Sequence, residues 1–386
     1  MTVRPLLIRL LTLLLGLCAA IGIAEFLLRT FGKPTRNLGQ LYFRDADGNT
    51  VGKPGDAAMV AAKKLNLIEE LPADQTPRQR YRFAPGAQFW LCYEDNDVLR
   101  RDWLDARGCV AVNINRYGLR ERDELRPDNK AAAERRIVCI GDSFTFGWGV
   151  PAELTWVRLL ENALRPELGD VRTINCGASG ALAVDEYESG LRTRFGAFQP
   201  DIVLVTICLN DLIPSSGLFV MGPAPQSTGL QLFDRIAAVV GKSQLDLDPD
   251  FPWVDTLLGI GEAEGTKAGL YGTDKPYAAM WQQGAPQKSL IAMREWCGAH
   301  QCKLLVSVWP FLQGLGANRI YPFAKLHKML ATFCQQEQIP LLDLLPVLQP
   351  LSAESLWVTP ADMHANPRAQ TAVLPAIVDF VRNHLR

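Results

Sequence analysis

Histidine is scarce in this chain, with four in 386 residues. Excess charge of either sign is also lacking: 40 Lys and Arg face 41 Asp and Glu, for a formal net charge of −1. No segment carries a basic stripe, which excludes nucleic acid as a partner. No Cys/His spacing suits zinc. "AAVVGKSQ" ends in Gly-Lys-Ser, but Ile236 stands where a phosphate loop needs its first glycine. "DLDPDF" alternates acids from Asp246, yet Phe251 and Leu257 occupy the Gly and Glu positions of a calcium loop. No cofactor and no metal are therefore expected. Nine cysteines in so long a chain do not make a small disulfide scaffold.

What is present begins with an apolar N-terminus. "MTVRPLLIRLLTLLLGLCAAIGIAEFLLRTFG" is uncharged from Leu10 to Ala24, and Leu6 to Leu28 is long enough to cross a bilayer. Residues 1–29 read as a signal anchor. The small-x-small run Gly22-Ile23-Ala24 is the cleavage pattern of the rival reading, a removed signal peptide. Arg29, Lys33 and Arg36 follow the span, so Lys/Arg asymmetry orients it weakly. The secretory character of the leader places the rest of the chain outside the cytoplasm, on the periplasmic side.

Residues 30–133 form a turn-rich linker and β-rich extension. Within it, "AQFWLCYEDNDVLRRDWLDARGCVAVNINRYGLR" reads as two short strands around a charged connection. Cys92 and Cys109 fall one in each strand; outside the cell they could pair, and two buried thiols are the alternative. Cys297 and Cys302 pose the same choice.

From residue 134 to 386 the pattern changes. Apolar runs without alternation ("RIVCIGD", "VRTINCG", "DIVLVTICLND", "CKLLVSVWP", "IPLLDLLP") are spaced by amphipathic stretches. This is the signature of a parallel sheet covered on both faces, an α/β class domain. Residues 212–280 interrupt the rhythm, and an insertion leaving that edge reads as a lid or substrate wall.

In such sheets function lies beyond the strand C-termini. Ser143 follows the first run. Gly177 follows the second, within Cys176-Gly177-Ala178-Ser179-Gly180. Asn210 and Asp211 follow the third, and Asp362 and His364 come after the last, in "VTPADMHANPRAQ". Any one alone is weak; four in order at one sheet edge point to a nucleophile, its base and anion-binding donors. Of the four histidines, only His364 follows a strand. Phe146, Trp148 and Trp309 lie near the same edge, where core packing is the plainer role.

These blocks resemble the SGNH (GDSL-type) hydrolases over about residues 112–386. Gly141-Asp142-Ser143-Phe144, Gly177, Asn210-Asp211 and Asp362/His364 carry the likeness. Asn115 to Arg120 ("N-x-x-Gly-Leu-Arg") and the leader resemble the family's membrane-anchored bacterial branch. Two positions depart: Cys208 replaces a glycine, and Asp-x-His replaces the commoner Asp-x-x-His. The resemblance implies a three-layer α/β/α fold with a five-stranded parallel, flavodoxin-like sheet. It also implies Ser143 as nucleophile, His364 as base and Asp362 as its orienting acid. The oxyanion hole would use the Ser143 and Gly177 N–H groups and the Asn210 amide. Asp142 and Asp211 would be structural. The implied reaction is hydrolysis of acyl esters, acetyl among them, on an acylated small molecule or polysaccharide. Transfer of the acyl group to an exported polysaccharide, with a membrane acyltransferase as partner, is the alternative. A non-catalytic envelope component is a third reading, disfavoured because Ser143, Asn210 and His364 are all kept.

Overall fold

The computed structural model describes residues 3–31, 42–48, 50–52, 66–75, 81–93, 101–178, 183–212, 232, 284–359 and 362–385. The 212–280 insertion thus lies almost wholly outside the described residues. Two compact units divide the chain, and α1 (Val3–Phe31) belongs to the first. Within α1, Thr12–Thr30 is long and apolar enough to cross a membrane. Its apolar side chains are exposed, Leu13 at 72% and Leu15 at 68%, so no protein core accounts for them.

The second unit holds the central sheet. Its strands are β7 (Arg135–Gly141), β8 (Val171–Gly177), β9 (Ile202–Cys208), β10 (Lys303–Trp309) and β11 (Leu341–Asp343). They run parallel in the order β11-β10-β9-β7-β8. Every residue of β9 is buried, which is why the run shows no alternation. Among the connecting helices are α3 (Trp156–Leu168), α4 (Val184–Thr193), α5 (Ala285–Ala299), α6 (Ala324–Gln336) and α8 (Pro367–Leu385). Helix α3 packs with α8, and α4 with α5. The five-stranded, flavodoxin-like α/β fold is the expected one. Strand order reverses between β7 and β9, and a ligand crevice opens at such a switch point.

Three local features differ from the expected elements. The stretch from Ala183 to Phe198 is not one helix: α4 ends at Thr193, and a 3-10 turn follows at Phe195–Phe198. The "IPLLDLLP" run yields only three strand residues before α7 (Leu345–Leu348). Asp362 and His364 follow the last parallel strand, as expected, but belong to a further hairpin. They lie on β13 (Asp362–Ala365), paired antiparallel with β12 (Trp357–Thr359).

The extension contains a second, antiparallel sheet. Strands β1 (Tyr42–Asp45), β2 (Thr50–Gly52), β5 (Gln88–Cys92) and β6 (Cys109–Asn113) run in the order β2-β1-β5-β6. A short hairpin of β3 (Ile68–Glu70) and β4 (Tyr81–Phe83) accompanies it. Cys92 and Cys109 are register partners and are disulfide-bonded, whereas Cys297 and Cys302 are free thiols. The sheet's apolar face, with Phe89, Leu91 and Val112, builds a core that takes in Phe146. Phe146 belongs to α2 (Ser143–Phe146), the turn of helix directly after β7. The extension is therefore packed around the segment that carries Ser143.

Candidate active site

Strand β7 delivers Ser143 to the sheet edge. Asp142 caps α2, its carboxylate accepting from the Phe144 N–H at 2.9 Å. Gly147 closes the turn in the left-handed conformation, and the Gly147 and Trp148 N–H groups both donate to the Ser143 carbonyl. A tight single turn so fixed holds the serine at the open end of the sheet.

The β12–β13 hairpin supplies the other two groups. His364 Nε2 lies 2.9 Å from Ser143 Oγ, and His364 Nδ1 lies 2.5 Å from Asp362 Oδ1. The Asp362 carboxylate also accepts from the His364 backbone N–H at 3.2 Å. Strand geometry explains the short Asp-x-His spacing, because residues two apart on a strand project from the same face. Serine, histidine and aspartate thus form one hydrogen-bonded chain, drawn from positions 221 apart.

The electrostatics suit proton transfer. Partial burial works to lower the pKa of His364, but the Asp362 charge and hydrogen bond, with Asp142 adding, hold it above 6.5. Burial likewise opposes the charge on Asp362. The His364 charge and hydrogen bond, together with the Tyr93 hydroxyl, outweigh it and keep the carboxyl below 3.8. The other three histidines have structural partners. His327 meets Asp343 at 2.8 Å, His300 stacks on Trp296, and His384 meets the Phe380 carbonyl.

The N–H of Gly177, an expected oxyanion donor, donates to Asn175 Oδ1 at 3.0 Å. A Cβ there would collide with the Phe146 nitrogen, so the glycine is required by the close approach of α2 to β8. The main-chain sequence could not reveal this, because the N–H is captured by a side chain two residues back. Asn175 Nδ2 also donates to the Thr145 carbonyl, tying β8 to α2. Asn210 lies in a 3-10 turn, Leu209–Leu212, after β9; its side chain is outside the described residues, as are Ser179 and Gly180. Asp211 accepts from the Cys208 N–H at 2.7 Å, a turn-capping contact. Burial, then the nearby charge of Asp142, pushes its carboxyl well up.

Around the chain of three stand aromatic rings. Phe144 and Trp148 have ring centroids 5.7 and 6.0 Å from His364. Phe146 and Trp309 are buried in the core, as their plainer role predicts, while Trp148 is partly exposed.

Two groups that sequence reasoning missed come from the extension. Tyr93 donates its hydroxyl to Asp362 Oδ2 at 2.7 Å, across 269 positions. Arg120, buried, donates to the carbonyls of Phe146, Gly147 and Val150 and holds the turn after the serine. Burial lowers the Arg120 pKa to about 10, with the interaction with Tyr93 acting the other way. The Asn115–Arg120 motif carried a usable signal. Asn115 Oδ1 accepts from the Tyr117 and Leu119 N–H groups and bends the chain so that Arg120 points inward. Glu121, next in line, pairs with Arg158 and accepts from the Asn175 N–H.

A serine on the turn of helix after a parallel strand, hydrogen-bonded to a histidine–carboxylate pair, is the arrangement of a serine hydrolase. Residues 139–372 match the GDSL-like lipase/acylhydrolase family, and the chain belongs to that family. It is an ester-hydrolysing serine hydrolase with acylhydrolase activity. Among solved structures it is similar to the psychrotrophic esterase EstA from Pseudoalteromonas sp., at 13% identity over 65% of this chain and 99% of that one, with a TM-score of 0.38. It is similar also to a variant of Axe2, an acetyl-xylooligosaccharide esterase from Geobacillus Stearmophilus, at 13% identity over 66% and 96%, with a TM-score of 0.39.

Proposed function

We propose that this protein is an extracytoplasmic esterase that removes short acyl groups, acetyl in the first instance, from carbohydrate or other envelope substrates. The Ser143–His364–Asp362 chain of hydrogen bonds carries the reading. Ser143 Oγ attacks the ester carbonyl as His364 Nε2 takes its proton; His364 returns that proton to the leaving alcohol. Asp362 holds the imidazole tautomer and stabilises the imidazolium. Water then attacks the acyl-enzyme, with His364 again as base. The Ser143 N–H and the Asn210 amide are the proposed oxyanion donors. Partly exposed Trp148, beside His364, offers a ring face on which a sugar could stack.

The proposed organisation is an anchor at 1–29, an extension at 30–133 and a catalytic domain at 134–386 with its insertion at 212–280. Apolar α1 and the Cys92–Cys109 disulfide support export, since disulfides persist in oxidising compartments. Alkaline phosphatase and green fluorescent protein fusions to the C-terminus test the side. An active phosphatase is expected; a fluorescent, phosphatase-inactive fusion would refute export. The chemistry is tested by release of acetate or chromophore from a panel of acyl esters. Ser143→Ala is expected to lower turnover by at least about 10³-fold. Unchanged turnover would place the nucleophile elsewhere.

A further inference from the structure

Asp362 has two carboxylate oxygens, and they meet different partners. Oδ1 accepts from His364, and Oδ2 accepts from Tyr93. Tyr93 is 1% exposed, and burial together with the Asp362 charge keeps its hydroxyl protonated, so it remains a donor. Its ring packs with Val150, from the loop after the serine, and with Val358, from β12 beside the histidine strand. Gly149, at φ +71, leaves the space that the hydroxyl fills, since a Cβ there would collide with it.

The position of Tyr93 is set from outside the central sheet. It follows Cys92 directly, and its N–H donates to the Gly108 carbonyl at 3.0 Å, one step beyond the Cys92–Cys109 bond. The segment closed by that disulfide makes two more contacts. Trp103 Nε1 donates to the Gly149 carbonyl, and Arg101 Nε to the Val358 carbonyl, each at 3.2 Å. The covalently closed segment of the extension therefore touches both the serine's loop and the hairpin bearing the acid and base.

We propose that Tyr93 is a positioning residue for the catalytic acid, and that the Cys92–Cys109 disulfide holds it in place. The inference rests on the assignment of Ser143, His364 and Asp362 made above. By fixing Oδ2, Tyr93 keeps the carboxylate plane aimed at His364 and spreads its charge. Ester hydrolysis by this protein would then depend on an oxidised extension, although no cysteine touches the substrate.

The test uses the full chain. Tyr93→Phe keeps the ring and removes one donor; loss of a hydrogen bond to a charged group is expected to lower kcat about tenfold, with KM within about twofold. The acid limb of the pH profile should also move upward, because the uncompensated carboxylate favours the imidazolium. The charged groups facing this pair are Asp142 below the serine and Arg120 beyond the tyrosine, with Arg101 bonded to β12, and all three remain in the variant. An unmoved limb would overturn the positioning role even if kcat fell. Cys92→Ser/Cys109→Ser is expected to lose a similar factor and to add little in the Tyr93→Phe background. Fully multiplicative losses would overturn the part given to the disulfide. If Ser143→Ala stays active, the reading of the site itself fails. If Ser143→Ala is dead while Tyr93→Phe matches wild type in rate and pH profile, only this inference fails.

Discussion

The two larger sheets of the second unit do different work with the same kind of element. The parallel sheet is largely buried on both faces and leads into Ser143 just beyond β7. The antiparallel sheet of the extension buries one face, with β6 alternating between buried and exposed after Val110. None of the three proposed reacting groups, Ser143, His364 and Asp362, comes from this sheet of the extension or its flanks. Its residues instead reach the reacting groups from behind: Phe146 through its core, Ser143's turn through Arg120, and Asp362 through Tyr93. The contrast teaches that an apparent appendage can form the rear wall of an active site.

The sharpest way to break this comparison is at the reacting groups. His364→Ala is expected to cost at least about 10³-fold in kcat, with a smaller loss for Asp362→Asn, because of these two the histidine bonds the serine directly and the aspartate stands one bond further away. A larger loss at Asp362 would contradict this order. With neutral imidazole as the proposed base and its pKa held above 6.5, kcat/KM should fall as the pH drops through a value above 6.5. Asp362→Asn should carry that limb downward, and a pH–rate titration of both proteins checks the sign.

A smaller effect separates the sheets themselves. Gly177→Ala pushes α2 away from β8 and is expected to cost about 1–3 kcal/mol of stability. Because it shifts Ser143, kcat should fall further than the stability loss suggests. Arg120→Met strips donors from the carbonyls of the serine turn and is expected to cost about 2–4 kcal/mol, with a milder fall in kcat. Urea unfolding and initial rates on both variants decide it. Greater catalytic damage at Arg120 would show that the extension does more than support.

Much of this was legible in advance. Strands β7, β9 and β10 announce themselves because burial on both faces replaces polar alternation with a nearly continuous apolar run, broken only by single residues such as Thr206 and Ser307. Ser143 could be picked out because it follows a parallel strand, and Asp362 and His364 because an acid and a histidine close together come after the last apolar run. The β12–β13 hairpin was not legible, its strands being only three and four residues long. Tyr93 was not legible either, because nothing local marks a contact made across 269 positions. The destination of the Gly177 N–H depended on the rotamer of Asn175, which no spacing rule encodes. The proposed lid at 212–280 and the Asn210 side chain fall outside the described residues.

The hairpin that bears Asp362 and His364 makes their spacing a matter of parity. On a strand, even separations share a face and odd separations oppose. Inserting one residue between them would turn the imidazole to the opposite face, away from both Ser143 and Asp362. Inserting two would restore the side while lengthening the reach by about 7 Å. Length variation between this acid and base is thus filtered by odd and even rather than by size, a constraint that a helical turn carrying the same pair would not impose.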